Sequence, residues 1–311
     1  MQSVHPDTVR RTLRIGHSPD PDDAFMWYPL ARFDAGEGPG GRAHRPAIDT
    51  GAFDFVHVLE DIQSLNVRAQ RAELEITAVS IHQYPYIAKD YALTRCGASM
   101  GDRYGPMVVT RPGLPAQGLT EQGLRGLKLA IPGTRTSAWL ALQLYLAERG
   151  LSAADVRWSV VSFDEIIART ATGEFDAGLI IHEGQLTYAG AGLGLMVDLG
   201  RWWTDSRGLP LPLGGNAIRR DLGALMPAVC TVLLESIRYA LAHREEAVSY
   251  AMHYARDMGR ELADRFVGMY VNDWTLDYGP RGEEAVRRFL AEGAAAGLVP
   301  AVGEVDFVAP G

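Results

Sequence analysis

Residues 127–150 read LKLAIPGTRTSAWLALQLYLAERG, a strand, a turn and a helix in succession. Leu127–Ile131 is a short apolar run bounded by a turn, which predicts a buried strand. Pro132-Gly133-Thr134 breaks it, and Thr136–Arg149 carries apolar residues at helical spacing until Gly150 closes the helix. The same grammar recurs on both sides. Upstream, Leu13–His17 (LRIGH), Phe53–Leu59 (FDFVHVL), Ile76–Ser80 (ITAVS), Tyr91–Cys96 and Met107–Thr110 read as strands. Helical patterns cover Ala24–Ala31, Asp61–Arg71 and the neighbourhood of Tyr84–Ala88. Downstream, Trp158–Val161 is a strand and Phe163–Thr172 a short helix. Phe175–Ile181 (FDAGLII) then runs as a buried strand straight into His182-Glu183. Strands alternating with helices predict an α/β sheet with parallel neighbours.

Two breaks organise the chain. Arg111-Pro112-Gly113-Leu114-Pro115 separates two α/β units, and a Gly/Pro-rich loop extends to about Gly215. After it, Pro227–Ala296 is almost wholly helical. A bilobal architecture follows, with residues 1–110 and 214–311 forming one discontinuous lobe and 111–213 the other. In such folds ligands sit outside the carboxyl ends of strands, here between the lobes. Ser18, Ser80, Gly133–Ser137 and His182 all follow strand ends.

Composition excludes several function classes. The 311 residues are 47% hydrophobic and 22% charged, which suits a two-domain globular chain and rules out global disorder. The net charge is -8 and the only lysines are Lys89 and Lys128, so nucleic acid and anionic membranes lack electrostatic support. No uninterrupted apolar run is long enough to span a bilayer. Met1–Asp23 has no apolar stretch of leader length, so a cytoplasmic location is expected. Cys96 and Cys230 have no metal-ligand spacing and form no disulfide framework. The histidines share no His-x-x-x-His spacing, so no metal is expected. Nothing in the sequence marks an oligomeric state.

Four clusters can carry chemistry. Thr136 and Ser137 open a helix whose first amides point outward, either as a cradle for a carboxylate or as an ordinary N-cap. No P-loop pattern is present there. His182, at the end of an apolar strand, is either a general base or a hinge histidine. Because neighbouring strand residues face opposite ways, Glu183 is not expected to orient it. Ser18 to Asp23 places Asp20, Asp22 and Asp23 together, but Pro19 and Pro21 make a rigid turn more natural than a metal site. Ser80 and Asn66 are candidate polar liners of the same cleft. Trp202-Trp203 and Gly208–Gly214 (GLPLPLG) read as the return crossover, with pocket lining as a secondary role.

Taken in order, SPDPDDAF, VLEDIQSLN, ITAVS, GPMVV, AIPGTRTSAW, GLIIHEGQLTY, VDLGRWW and GLPLPLG resemble the 1,4-dihydroxy-6-naphthoate synthases of the futalosine route to menaquinone. The similarity runs from about Leu13 to about Tyr278, and Ile180–Glu183 with Thr187-Tyr188 is its most specific element. The resemblance implies a two-lobed type 2 periplasmic-binding-protein fold and a carbon–carbon lyase acting on cyclic dehypoxanthinylfutalosine, a carboxylated aromatic. It implies His182 as proton acceptor, and Ala78, Val79 and Ser80 with Thr136, Ser137 and Ala138 as substrate-binding stretches. Asn66 matches a cleft-facing polar residue, and no cofactor is implied. The first turn departs from the family form SPCPND, because Asp20 replaces the cysteine and Asp22 the asparagine. The stretch Gly36–Pro46 is longer than expected and is placed in a surface loop.

Two alternatives share the fold. Chorismate dehydratase of the same pathway lacks the strand-end Ile-His-Glu element found at residues 181–183. A solute-binding or sensor protein would use His182 only to bind, and the transport form predicts a leader or lipid-anchor cysteine.

Overall fold

The computed structural model describes residues 10–38, 41–114, 125–255 and 258–311. Val9 and the residues before it, Pro39-Gly40 of the expected surface loop, and Pro115 of the predicted break lie outside them. In chain order the strands are β1 (Arg11–His17), β2 (Phe53–Leu59), β3 (Ile76–Ser80), β4 (Tyr91–Thr94), β5 (Ser99–Gly101), β6 (Met107–Thr110), β7 (Lys128–Ile131), β8 (Arg157–Val160), β9 (Ala177–Ile180), β10 (Gly194–Asp198), β11 (Leu211–Arg219) and β12 (Phe307–Val308). The helices are α1 (Pro21–Trp27), α2 (Ile62–Ala69), α3 (Tyr84–Ile87), α4 (Ser137–Ala147), α5 (Ile166–Ala171), α6 (Gly184–Thr187), α7 (Leu199–Arg207), α8 (Met226–Ala242), α9 (Arg244–Ala251), α10 (Arg260–Tyr270), α11 (Asp273–Leu276) and α12 (Gly279–Ala295).

Two sheets result. The first has the order β12-β4-β11-β3-β1-β2, with β5 paired to β11, and the second has the order β10-β6-β9-β7-β8. The expected parallel neighbours form one end of each: β1 lies parallel to β2 and β3, and β7 to β8 and β9. The strands that carry the chain between sheets run the other way, β11 antiparallel to β3 and β4, and β6 antiparallel to β9 and β10.

Those strands correct the predicted boundaries. Met107–Thr110 belongs to the second sheet, so the outward crossing falls between Gly101 and Met107 rather than after residue 110. Leu211–Arg219 already pairs in the first sheet, so the return precedes residue 214. Glycine permits the two crossings to touch. A Cβ on Gly200 would stand 1.9 Å from the Tyr104 carbonyl oxygen, and one on Gly105 2.8 Å from Gly200 Cα.

The stretch expected to be a loop up to Gly215 instead holds α6, β10, α7 and the first half of β11. Asp198 Oδ1 caps α7 by accepting from Arg201 N at 3.0 Å, and Gly208 ends it at φ 70°. Proline hid the strand. Pro212 is tolerated because the register against β5 shifts between Pro212 and Gly214.

The C-terminal helices return to the first sheet, where α1 packs against α8, α9 and α10. One described helical stretch, Arg220–Ala242, is long and apolar enough by length and composition to cross a membrane. Its backbone turns at Gly223, and Val229, Cys230, Leu233 and Ile237 are buried in the core that α1 also joins.

Candidate functional site

Between the two sheets lies a cleft of about 800 Å³, counted with its open mouth. Ser18, Ala78, Val79, Ser80, Thr136, Ser137, Ala138 and His182 all line it, as do residues that the sequence did not single out for the cleft. β3 is buried along its whole length and delivers Ala78–Ser80 to the cleft at its carboxyl end. Asn66 differs from expectation. It is fully buried and does not line the cleft. Its side chain instead clamps Ser80: Nδ2 donates to Ser80 Oγ at 3.1 Å, and Oδ1 accepts from Ser80 N at 3.0 Å. Its helical spacing with Leu65 and Ala69, the other buried residues of α2, is the sequence signal of that burial.

The start of α4 is held as firmly. Thr136 Oγ1 accepts from Trp139 N at 3.2 Å and donates to the Gly133 carbonyl at 2.9 Å, which makes it a committed N-cap. Ser137 Oγ donates to the Leu213 carbonyl at 2.6 Å and accepts from His82 N at 3.2 Å. Both hydroxyls are therefore engaged within the protein. What α4 offers the cleft is its first-turn amides, Ser137 N and Ala138 N, which have no intrahelical acceptor. An aligned helix dipole stands behind them, favourable for an anion. His82 Nδ1 contacts the Thr136 carbonyl at 2.9 Å, and burial pushes its pKa down to about 4, so it is a neutral buttress.

His182 lies beyond the strand rather than on it. β9 ends at Ile180, and His182 adopts φ 51°, a left-handed backbone uncommon outside glycine. The alternation argument about Glu183 does not apply, because Glu183 is the cap residue before α6 and already has helical backbone angles. The turn at His182 swings the imidazole into the cleft, with the Phe163 ring 4.8 Å away between centroids. Its Nδ1 lies 3.5 Å from Asp20 Oδ2. Asp20 enters from the turn before α1, in the first sheet's half, so this contact crosses the cleft.

The acidic turn is strongly perturbed. Burial, reinforced by Asp23 and Asp20, pushes the Asp22 carboxyl well above the ordinary carboxylate range. Burial also raises Asp23, against the pull of His17 and of Ser18, whose backbone N donates to Asp23 Oδ2 at 2.7 Å. Behind them His17 Nε2 meets His57 Nδ1 at 2.8 Å. Burial lowers both rings, His57 to about 3, so the pair is neutral. Among the described residues no group of three His, Cys, Asp or Glu converges as a metal-holding set.

Sequence reasoning did not single out Gln185, Asn216 and Tyr270, all of which line the cleft. Gln185 Nε2 donates to Tyr270 Oη, a second bond across the cleft, from α6 to α10. Gln185 lies three residues after His182 and could have been found as part of that motif. Tyr270 sits on an ordinary amphipathic helix, and only the return of the C-terminal helices brings it here.

Comparison with known proteins gives a consistent result. A family described as menaquinone biosynthesis matches residues 13–295. A 1,4-dihydroxy-6-naphtoate synthase of Thermus thermophilus is 40% identical over 287 residues, 92% of this chain and 95% of the relative. A protein of the same name from Streptomyces coelicolor is 36% identical over 293 residues, 94% of this chain and 96% of the relative. A crystal structure of a protein from Archaeoglobus fulgidus superposes with TM-score 0.77 at 39% identity, covering 95% of this chain and 100% of that one. A Candida albicans protein described as having the generic periplasmic binding protein fold superposes with TM-score 0.63 at 12% identity, over 95% and 93% of the two chains. The last likeness concerns the fold alone, and it agrees with the two sheets flanking a cleft.

Proposed function

This chain belongs to the menaquinone biosynthesis family, and from that premise we propose that its cleft binds cyclic dehypoxanthinylfutalosine with His182 as the proton acceptor. It is an enzyme of the 1,4-dihydroxy-6-naphthoate synthase kind, a lyase with a small-molecule substrate. The observation that carries the mechanistic reading is the left-handed turn at His182, which spends backbone strain to present an imidazole to the cleft.

Electrostatics orient the substrate. A carboxylate is favoured at Ser137 N and Ala138 N, where the positive end of the α4 dipole meets the cleft. The carboxylated aromatic part therefore lies against α4, between Ala78–Ser80 and Ala138, with Ser18 beside the sugar-derived part. His182 removes a carbon-bound proton there. Ring opening and carbon–carbon cleavage then release the sugar remnant and leave the naphthalenediol. Contacts that span the cleft, Asp20 to His182 and Gln185 to Tyr270, accompany closure and exclusion of water. We place the protein in the cytoplasm, in keeping with two buried free thiols whose pKa values burial raises, Cys230 to about 12.

The test is product formation from cyclic dehypoxanthinylfutalosine by purified protein with EDTA present, wild type beside His182→Ala. Naphthoate from the wild type alone supports both substrate and base. Near-normal turnover by His182→Ala removes His182 from the mechanism. Binding without turnover by both proteins points instead to a sensor.

A further inference from the structure

We infer that Asp20 is a positioning residue for the proton acceptor: its carboxylate holds the Nδ1–H tautomer of His182 and leaves Nε2 as the atom that takes the substrate proton. The inference rests on the reading of His182 as the base. Its own support is geometric. Asp20 is 1% exposed and does not line the cleft, so it cannot reach a substrate and can act only through its neighbours. Its Oδ2 faces His182 Nδ1 at 3.5 Å, an ion-pair separation longer than a closed hydrogen bond.

The place of Asp20 in the chain strengthens this assignment. It is the N-cap residue of α1, where an aspartate ordinarily accepts from the first-turn amides, yet its side chain makes no such bond. Asp61 and Asp198 do cap the helices that they precede. The carboxylate of Asp20 is directed across the cleft instead. Because Asp20 belongs to the first half of the molecule and His182 to the second, the pair is completed only when the two halves approach. Separations between catalytic partners that are long without substrate tighten in the working complex. When Nε2 accepts the substrate proton, the ring becomes an imidazolium, and its Nδ1–H then donates to a carboxylate. That arrangement fixes the ring orientation as well as the tautomer.

Steady-state kinetics and ring ¹⁵N spectra test the assignment together. Asp20→Asn keeps the shape and removes the charge. Its kcat is expected to fall about 10–100-fold with KM within about 2-fold, the size seen when an outer partner of a histidine is lost. The double variant Asp20→Asn/His182→Ala is expected to be no slower than His182→Ala alone. In the substrate-free wild type, ring ¹⁵N shifts are expected to show His182 as the Nδ1–H tautomer, assigned by loss of the signal in His182→Asn. This last measurement needs no Asp20 variant and so survives any folding defect. An unchanged kcat in Asp20→Asn, an additive loss in the double variant, or the Nε2–H tautomer in the wild type overturns the proposal. The two readings fail separately: normal turnover by His182→Ala defeats the base, while the tautomer still reports whether Asp20 holds the ring.

Discussion

At the α4 wall of the cleft the polar side chains are spent on the protein itself, whereas at the acidic turn the Asp22 carboxyl is not fully so. Thr136, Ser137, Ser80 and Asn66 bond to one another or to backbone at ordinary hydrogen-bond distances, and each is nearly or fully buried. Across from them, Asp22 Oδ1 is buried with no hydrogen-bond partner among the described residues, and His182 sits in a strained backbone. A wall with satisfied hydroxyls cannot rearrange and offers only its fixed amides, which suits binding a rigid aromatic carboxylate. A corner with perturbed carboxyls and a strained histidine is costly to fold. The difference separates recognition from proton transfer, and substitutions on the two sides should therefore move different parameters.

The largest effect belongs to the corner. His182→Asn should lower kcat about 10²–10⁴-fold, the usual worth of a positioned base, while KM changes little. Asparagine tolerates a left-handed backbone, so the variant should melt near the wild type. A loss that appeared mainly in KM would assign His182 to recognition and break the contrast.

Much of this contrast was legible in the sequence, but unevenly. Strand–turn–helix punctuation located Ser80, Thr136–Ala138 and His182, because strand ends and helix starts are local signals. Long-range pairing was not legible. The crossing strands β6 and β11 look like any other strand or proline loop, and only their antiparallel partners show which sheet they join. Asn66 illustrates the same limit: residue type said polar, periodicity said buried, and only the contact with Ser80 reconciles them. Asp20 meets His182 from the far side of the chain, which no spacing rule anticipates.

On the α4 wall, Ser137→Ala removes the bond to the Leu213 carbonyl and the acceptor for His82 N. That hydroxyl ties α4 to β11 of the first sheet, so losing a neutral bond worth about 1 kcal/mol weakens closure on the substrate, and KM should rise about 5-fold with kcat nearly constant. Thr136→Ala, whose hydroxyl only caps α4, should cost about 1 kcal/mol of stability and leave KM close to wild type. Initial rates over a range of substrate, beside a denaturant midpoint for each variant, separate the two. If Thr136→Ala raised KM as much as Ser137→Ala, the hydroxyls rather than the amides would be the carboxylate contacts.

The smallest effect is a pH dependence at Asp22. An unfolded Asp22 ionises near 3.8, whereas burial, Asp23 and Asp20 raise its folded value well above that. Below 3.8 both states hold the proton and Asp22→Asn should change stability little through ionisation. As pH rises past it, the unfolded chain releases a proton that the native chain retains, so native stability falls with pH. Asparagine binds no proton in either state and escapes that loss. The Tm difference in favour of Asp22→Asn should therefore widen from pH 4 upward, reach about 2 °C, and level off once the folded carboxyl also ionises. Scanning Tm of both proteins from pH 4 to 8 reads the gap directly. A gap that stays constant across that range would mean Asp22 is an ordinary ionised carboxylate, and the corner would lose its distinction from the wall.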